Sequence, residues 1–273
     1  MIDLARCDFD YDGYFTGVID TKAKKLIKPT ICFDEWNVWN PTRAPGTKGA
    51  EETYDLSDAL AVAVWLNVFV RQSKHIGMAT IAQRQVAIFF LDELLLITKA
   101  ARTVSSNIFL SLFSVNVISP LMTTERGVIK QTTYWPLLLF SKYMRGKALA
   151  THVRSEAYDG RTFPEWLANT ADHLPLLDVS AALSDDGWMN LAVVNVSDTQ
   201  SMSTKLPPVA NNRPVTVFLV GGAEYDIRAS NKEGMETTVC IKESIWNNNG
   251  GEGGGVFTFE KHSFTLLRWK ITS

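Results

Sequence analysis

Residues 30–40 read TICFDEWNVWN. A short run rich in β-branched and aromatic residues, entered through Pro29, has the character of a buried strand. It ends on two adjacent carboxylates, Asp34 and Glu35, set among Trp36, Asn37 and Trp39. A plain surface turn does not need two tryptophans. A substrate cleft, which combines aromatic faces with a few placed polar groups, does.

The flanking segments alternate in character. NPTRAPGTKGAEE (40–52), with two prolines and two glycines, reads as a loop. DLSDALAVAVWLNVFVRQ (55–72) reads as a helix with Asp55 as its N-cap and Asp58 three residues on. Apolar residues occupy nearly all sides of it, which predicts a largely buried helix. IGMATIAQ (76–83) has the composition of a second strand, and YWPLLLFSKYMRG (134–146) that of a second helix closed by Gly146. Lys142, Arg145 and Lys147 suit the negative end of that helix. Strand, helix, strand, helix in this order predicts a parallel α/β arrangement.

Beyond residue 150 the texture changes. WMNLAVVNVS, PVTVFLV, TTVCIKES, VFTFEKH and SFTLLRWKI are strand-like, and turn-rich stretches such as SDDG, ANNRP, NKEG and NNNGGEGGG separate them. That pattern predicts an antiparallel β-sandwich. The Gly/Asn-rich stretch 247–255 lacks the GK[ST] ending and following helix of a phosphate cradle, so it reads as a surface loop.

Bulk properties exclude several functions. A net charge of −2 provides no basic field for nucleic acid or an anionic membrane. Cys7, Cys32 and Cys240 are odd in number and lack zinc-ligand spacing, and the four histidines (His75, His152, His173, His262) show no metal pattern. The uncharged run 103–124 is half Ser, Thr, Asn or Pro, too polar for a spanning helix. The N-terminus lacks a signal-peptide pattern, so the chain as given is expected to be intracellular.

FDEWNVWN resembles the nucleophile strand of glycoside hydrolase family 51, the α-L-arabinofuranosidases, and is most similar to the fungal members. The likeness extends in order through LSDALAVAVWLNVFVRQSK, MATIAQ, VNVISPLMTT and QTTYWPLLLFSKYMRG, and more weakly through LDVSAAL, LAVVNVS and KHSFTLLRWK. The resemblance implies the last strands and helices of a (β/α)8 barrel over 1–147, followed by a C-terminal antiparallel β-sandwich over 148–273. TICFDEW would be the seventh barrel strand and IGMATIAQ the start of the eighth. Active sites of such barrels lie at the C-terminal ends of the strands. On this resemblance Glu35 is the catalytic nucleophile of a retaining glycosidase, Trp39 lines the leaving-group side, and Gln83 hydrogen-bonds arabinofuranose hydroxyls. Asp34, Trp36 and Asn37 would support the strand end. The implied activity is removal of terminal arabinofuranose from arabinan- or arabinoxylan-type polysaccharides and oligosaccharides. Two carboxylates suffice for it, so no cofactor or metal is expected. Family members often form homo-oligomers.

The sequence departs from the family pattern in two ways. No Gly-Asn-Glu, the family's acid/base motif, occurs here, and six of the eight βα units have no counterpart. Little or no turnover is therefore expected from this chain alone, since general acid–base help is worth roughly 100- to 10,000-fold. The alternative reading is a non-catalytic β-sandwich module or a non-functional fragment. Second, residues 84–113 fit neither strand nor helix period, and their removal leaves IAQSVNVISPLMTT, continuous with the family pattern. They are expected to be an insertion foreign to the family, from translated intron sequence, with a genuine surface insertion as the alternative.

Overall fold

The computed structural model describes residues 30–38, 52–81, 119–124, 126–160, 173–206, 214–247 and 255–271, together with the backbone of two short strands, β1 (Val18–Asp20) and β2 (Lys25–Ile27). The expected insertion 84–113 and most of the Gly/Asn-rich loop lie outside the described residues.

TICFDEW forms strand β3 (Ile31–Trp36). It is followed by helix α1 (Leu56–Arg71) and strand β4 (Ile76–Ile81), which pairs with β3 in parallel. The parallel unit expected from the sequence is present. Helix α1 starts as its sequence requires: the Asp55 carboxylate accepts from the Asp58 amide, and the Asp58 carboxylate accepts from the Asp55 amide. This reciprocal arrangement satisfies donors that a helix start would otherwise leave unpaired. An antiparallel hairpin, β5 (Leu121–Thr124) and β6 (Gly127–Lys130), leads into helix α2 (Tyr134–Tyr143). Gly146 then stops the chain with φ +97°, and a Cβ there would collide with the Leu183 carbonyl.

The remainder is dominated by a six-stranded antiparallel sheet. Its strands are β7 (Lys147–Leu149), β10 (Leu177–Leu183), β11 (Trp188–Asn195), β13 (Pro214–Gly221), β14 (Ile241–Asn247) and β16 (Ser263–Lys270). Their spatial order is β14-β13-β16-β11-β10-β7. A short pair, β8 (Ala157–Tyr158) and β9 (Leu174–Pro175), precedes β10. SDDG turns β10 into β11 with Gly187 at φ +80°. One expectation shifts: β14 begins at Ile241, and the first part of TTVCIKES is not strand. There Val239 is buried, with its N–H donating to Asn231 and its carbonyl accepting from Trp135 and Asn231, so tertiary partners replace a ladder.

Both faces of this sheet are covered, and strict alternation sorts the side chains. Ala182, Ala192, Val194, Phe218, Val220, Phe264 and Leu266 meet α1 and α2 on one face. Leu177, Val193, Val215, Val217, Leu267 and Trp269 point to the other. That second face is packed by a two-stranded sheet, β12 (Met202–Lys205) with β15 (Val256–Phe259). Helix α1 is buried from two sides, since Ala61 and Val62 pack toward Trp36, Val38 and Tyr54. It forms the layer between the parallel pair and the antiparallel sheet. A closed barrel is not seen among the described residues: β3 and β4 form a two-stranded sheet. No described helix is long and apolar enough to cross a membrane, and Cys32 and Cys240 are free thiols.

Candidate functional site

The site begins at the C-terminal end of β3. Pairing with β4 matches Ile31 to Ile76, Cys32 to Met78, Phe33 to Ala79 and Trp36 to Ile81. Between Ile31 and Cys32 the extra residue is Gly77 on β4, where a Cβ would run into the Thr30 hydroxyl. Between Phe33 and Trp36 the register shifts again, with the surplus on β3 at Asp34 and Glu35.

This second irregularity decides where Glu35 faces. In a regular strand Phe33 and Glu35 would share a face and Trp36 would take the opposite one. Here Phe33 and Trp36 both pack on α1. Phe33 lies 5.6 Å from Trp65 and 5.5 Å from Phe69 between ring centroids, and Trp36 lies 6.3 Å and 5.0 Å from the same rings. Trp36 is 7% exposed whereas Glu35 is exposed. The bulge thus anchors two aromatics on the helix and leaves the carboxylate between them facing solvent, a use of bulges common beside active sites.

The chain leaving the strand is also held. Asn37 Oδ1 accepts from the Val38 amide at 2.8 Å, and the Tyr54 hydroxyl donates to the buried Val38 carbonyl at 2.8 Å. Trp36 thus packs, and Asn37 hydrogen-bonds the backbone, at the strand end. Asp34 is described by its backbone alone, and Trp39 and Gln83 lie outside the described residues. Gln83 follows Ile81, the residue paired with Trp36, by two positions in the chain. Sequence reasoning missed Tyr54 and, behind it, Gln131. Tyr54 lies outside the quoted blocks, Gln131 opens QTTYWPLLLFSKYMRG without being singled out there, and 77 positions separate them in the chain.

The histidines stay apart from this strand end. His262 is buried and its Nε2 lies 2.9 Å from the Tyr225 carbonyl; exposed His173 pairs with Asp159 at 3.3 Å.

Residues 34–111 and 113–263 match the alpha-L-arabinofuranosidase C-terminal domain family. The chain is 48% identical over 270 residues to a probable alpha-L-arabinofuranosidase C of Aspergillus clavatus, and 47% identical over 270 residues to alpha-L-arabinofuranosidase C of Emericella nidulans. Each alignment takes in 99% of this chain but 43% of the relative, so the chain spans less than half the length of those enzymes. Among solved structures, an alpha-L-arabinofuranosidase of Thermotoga maritima in an arabinose complex aligns with a TM-score of 0.67 at 21% identity. It covers 89% of this chain and 43% of its own. A GH51 alpha-L-arabinofuranosidase of Thermotoga petrophila gives 0.67 at 22% identity, covering 88% and 43%. At such identities the structural likeness establishes the fold.

Proposed function

We propose, on the premise that this chain belongs to the α-L-arabinofuranosidase C-terminal domain family, that Glu35 is the nucleophile of a retaining arabinofuranosidase. The observation that carries this reading is the bulge at the end of β3, which leaves Glu35 exposed between half-buried Phe33 and buried Trp36. A carboxylate held at a strand's C-terminal end on a rigid base suits attack on an anomeric carbon.

In the proposed reaction a Glu35 oxygen bonds to C1 of a terminal α-L-arabinofuranosyl group. The C1–O bond to the leaving group breaks, and its electron pair departs with that oxygen. The resulting ester is then hydrolysed with overall retention. A second carboxyl about 5 Å away would protonate the leaving oxygen and later activate water. Trp39 would pack on the leaving-group side and Gln83 would bind sugar hydroxyls. The substrates are arabinose-bearing poly- or oligosaccharides. Residues 1–147 would make up the end of a barrel and 148–273 its companion sandwich.

The test uses a leaving group that needs no proton. Dinitrophenolate departs as its anion, so 2,4-dinitrophenyl α-L-arabinofuranoside probes the nucleophile separately from the acid. The chain is expected to release about one equivalent in the first turnover and to turn over slowly thereafter, because proton transfer contributes roughly 100- to 10,000-fold. Glu35→Gln is expected to abolish the release. Equal release by that variant would refute the assignment.

A further inference from the structure

We propose that Tyr54 and Gln131 are positioning residues for Glu35, acting through the backbone of the strand end; the inference rests on the reading of Glu35 as nucleophile. The two-stranded parallel pair does not fix that end by itself. Such pairs are weak in isolation, and β3 runs out of ladder at Trp36, one residue after Glu35. The backbone beyond Trp36 is held from the side. Tyr54, fully buried, donates its hydroxyl to the Val38 carbonyl at 2.8 Å, and its own amide donates to Gln131 Oε1 at 2.8 Å.

Gln131 satisfies three backbone groups on two other chain segments. Besides accepting from Tyr54, its Nε2 donates to the Ser119 carbonyl at 2.7 Å and to the Glu52 carbonyl at 3.1 Å. Both amide hydrogens and the amide oxygen are thus engaged, in a site 1% exposed. Gln131 is itself braced: its amide donates to Pro120, and Asn231 from the long loop after β13 donates to the neighbouring Lys130 carbonyl at 2.8 Å. A side chain that satisfies three backbone groups in a dry site leaves little freedom to any of them. The relay Gln131–Tyr54–Val38 therefore connects the β5–β6 hairpin to the strand end. With Phe33 seated on α1 before it, and Trp36 on α1 and Val38 held after it, Glu35 is clamped on both sides.

Tyr54→Phe keeps the ring and removes the bond to Val38, and Gln131→Met removes the amide at similar length. The readout is the first-turnover rate constant for dinitrophenolate release, separated from its amplitude, with hydrogen exchange of the amides at 36–38. Positioning predicts full amplitude, faster exchange at 36–38, and a rate constant reduced by about ten- to a hundredfold, the scale of a small misplacement of a reacting group. A merely structural role would lower amplitude with the folded fraction and leave the rate constant alone. Ser180→Ala, which loses a buried bond to Asn67 away from this relay, is the control expected to behave in that second way. Tyr54→Phe with a wild-type rate constant and unchanged exchange would overturn the inference, even if Gln131→Met fails to fold. Absence of release by the unaltered chain would instead overturn the nucleophile reading, and this inference with it.

Discussion

Asn67 on α1 donates its side-chain amide to Asp178 Oδ1 on β10 at 2.7 Å, both residues buried. The same amide reaches the Asp178 carbonyl, the Ser180 hydroxyl donates to Asn67 Oδ1, and Arg71 one helical turn on donates to Asp178 at 3.1 Å. Helix α1 is otherwise apolar toward the sheet, and greasy surfaces slide. This polar cluster fixes the helix at one position along β10. Asp178→Ala would remove the carboxylate shared by the buried Asn67 amide and the partly exposed Arg71 guanidinium, leaving each a backbone carbonyl, a change expected to cost about 1–3 kcal/mol. The midpoint of urea unfolding of the full chain measures it, and an unchanged midpoint would contradict the account.

The aromatic base under β3 gives a second expectation. Trp36 packs against Trp65 and Phe69 with centroids 6.3 Å and 5.0 Å away. Trp36→Ala should destabilise the chain by about 3–5 kcal/mol, the usual range for emptying a buried aromatic site. Near-ultraviolet circular dichroism, which reports coupled indoles, should lose intensity in proportion. Full retention of the signal would mean that the cluster does not hold the strand end.

Alkaline pH tests the contact between α2 and the sheet. Tyr143 stacks on Phe218 at 4.9 Å with the Arg268 guanidinium 4.9 Å from its ring. Burial raises the Tyr143 pKa above its ordinary 10.0; Arg268 opposes this and Glu243 adds to it. A raised folded-state pKa means that the unfolded chain loses the proton first. The stability from this group is intact below pH 10.0 and is lost as pH rises through the folded value. Tyr143→Phe should therefore flatten the fall in urea midpoint between about pH 9 and 11, around the ordinary tyrosine range. An identical alkaline slope in the variant would contradict this.

Much of the fold was legible because local signals agreed with the tertiary outcome. Asp55 with Asp58 marked the start of α1, and Gly146 and SDDG marked a stop and a turn that the backbone makes at positive φ. Four of the six strands of the central sheet, β11, β13, β14 and β16, were visible as apolar runs, whereas β7 and β10 were not read as strands. Which face each would cover was not visible, since both faces are buried and alternation carries no contrast. The start of β14 was misjudged because Val239, strand-like in composition, finds its partners in Asn231 and Trp135.

At the candidate site the resemblance proposed Glu35, and its orientation was not legible. FDEW identified Glu35 by resemblance, but simple alternation would have placed it beside Phe33 against the helix. Only the register shift separates them. The roles of Tyr54 and Gln131 were not legible, even though Gln131 opens the block QTTYWPLLLFSKYMRG, because they arise from hydrogen bonds between distant segments.

The most direct test of the nucleophile assignment is to find the covalent bond that it requires. The chain is incubated with excess 2,4-dinitrophenyl α-L-arabinofuranoside, quenched in acid, weighed intact and mapped by peptide mass. The account predicts a gain of one arabinosyl unit per chain, located on Glu35 and absent from Glu35→Gln. Dinitrophenolate release with no adduct on Glu35, or an adduct that persists in the variant, would contradict it.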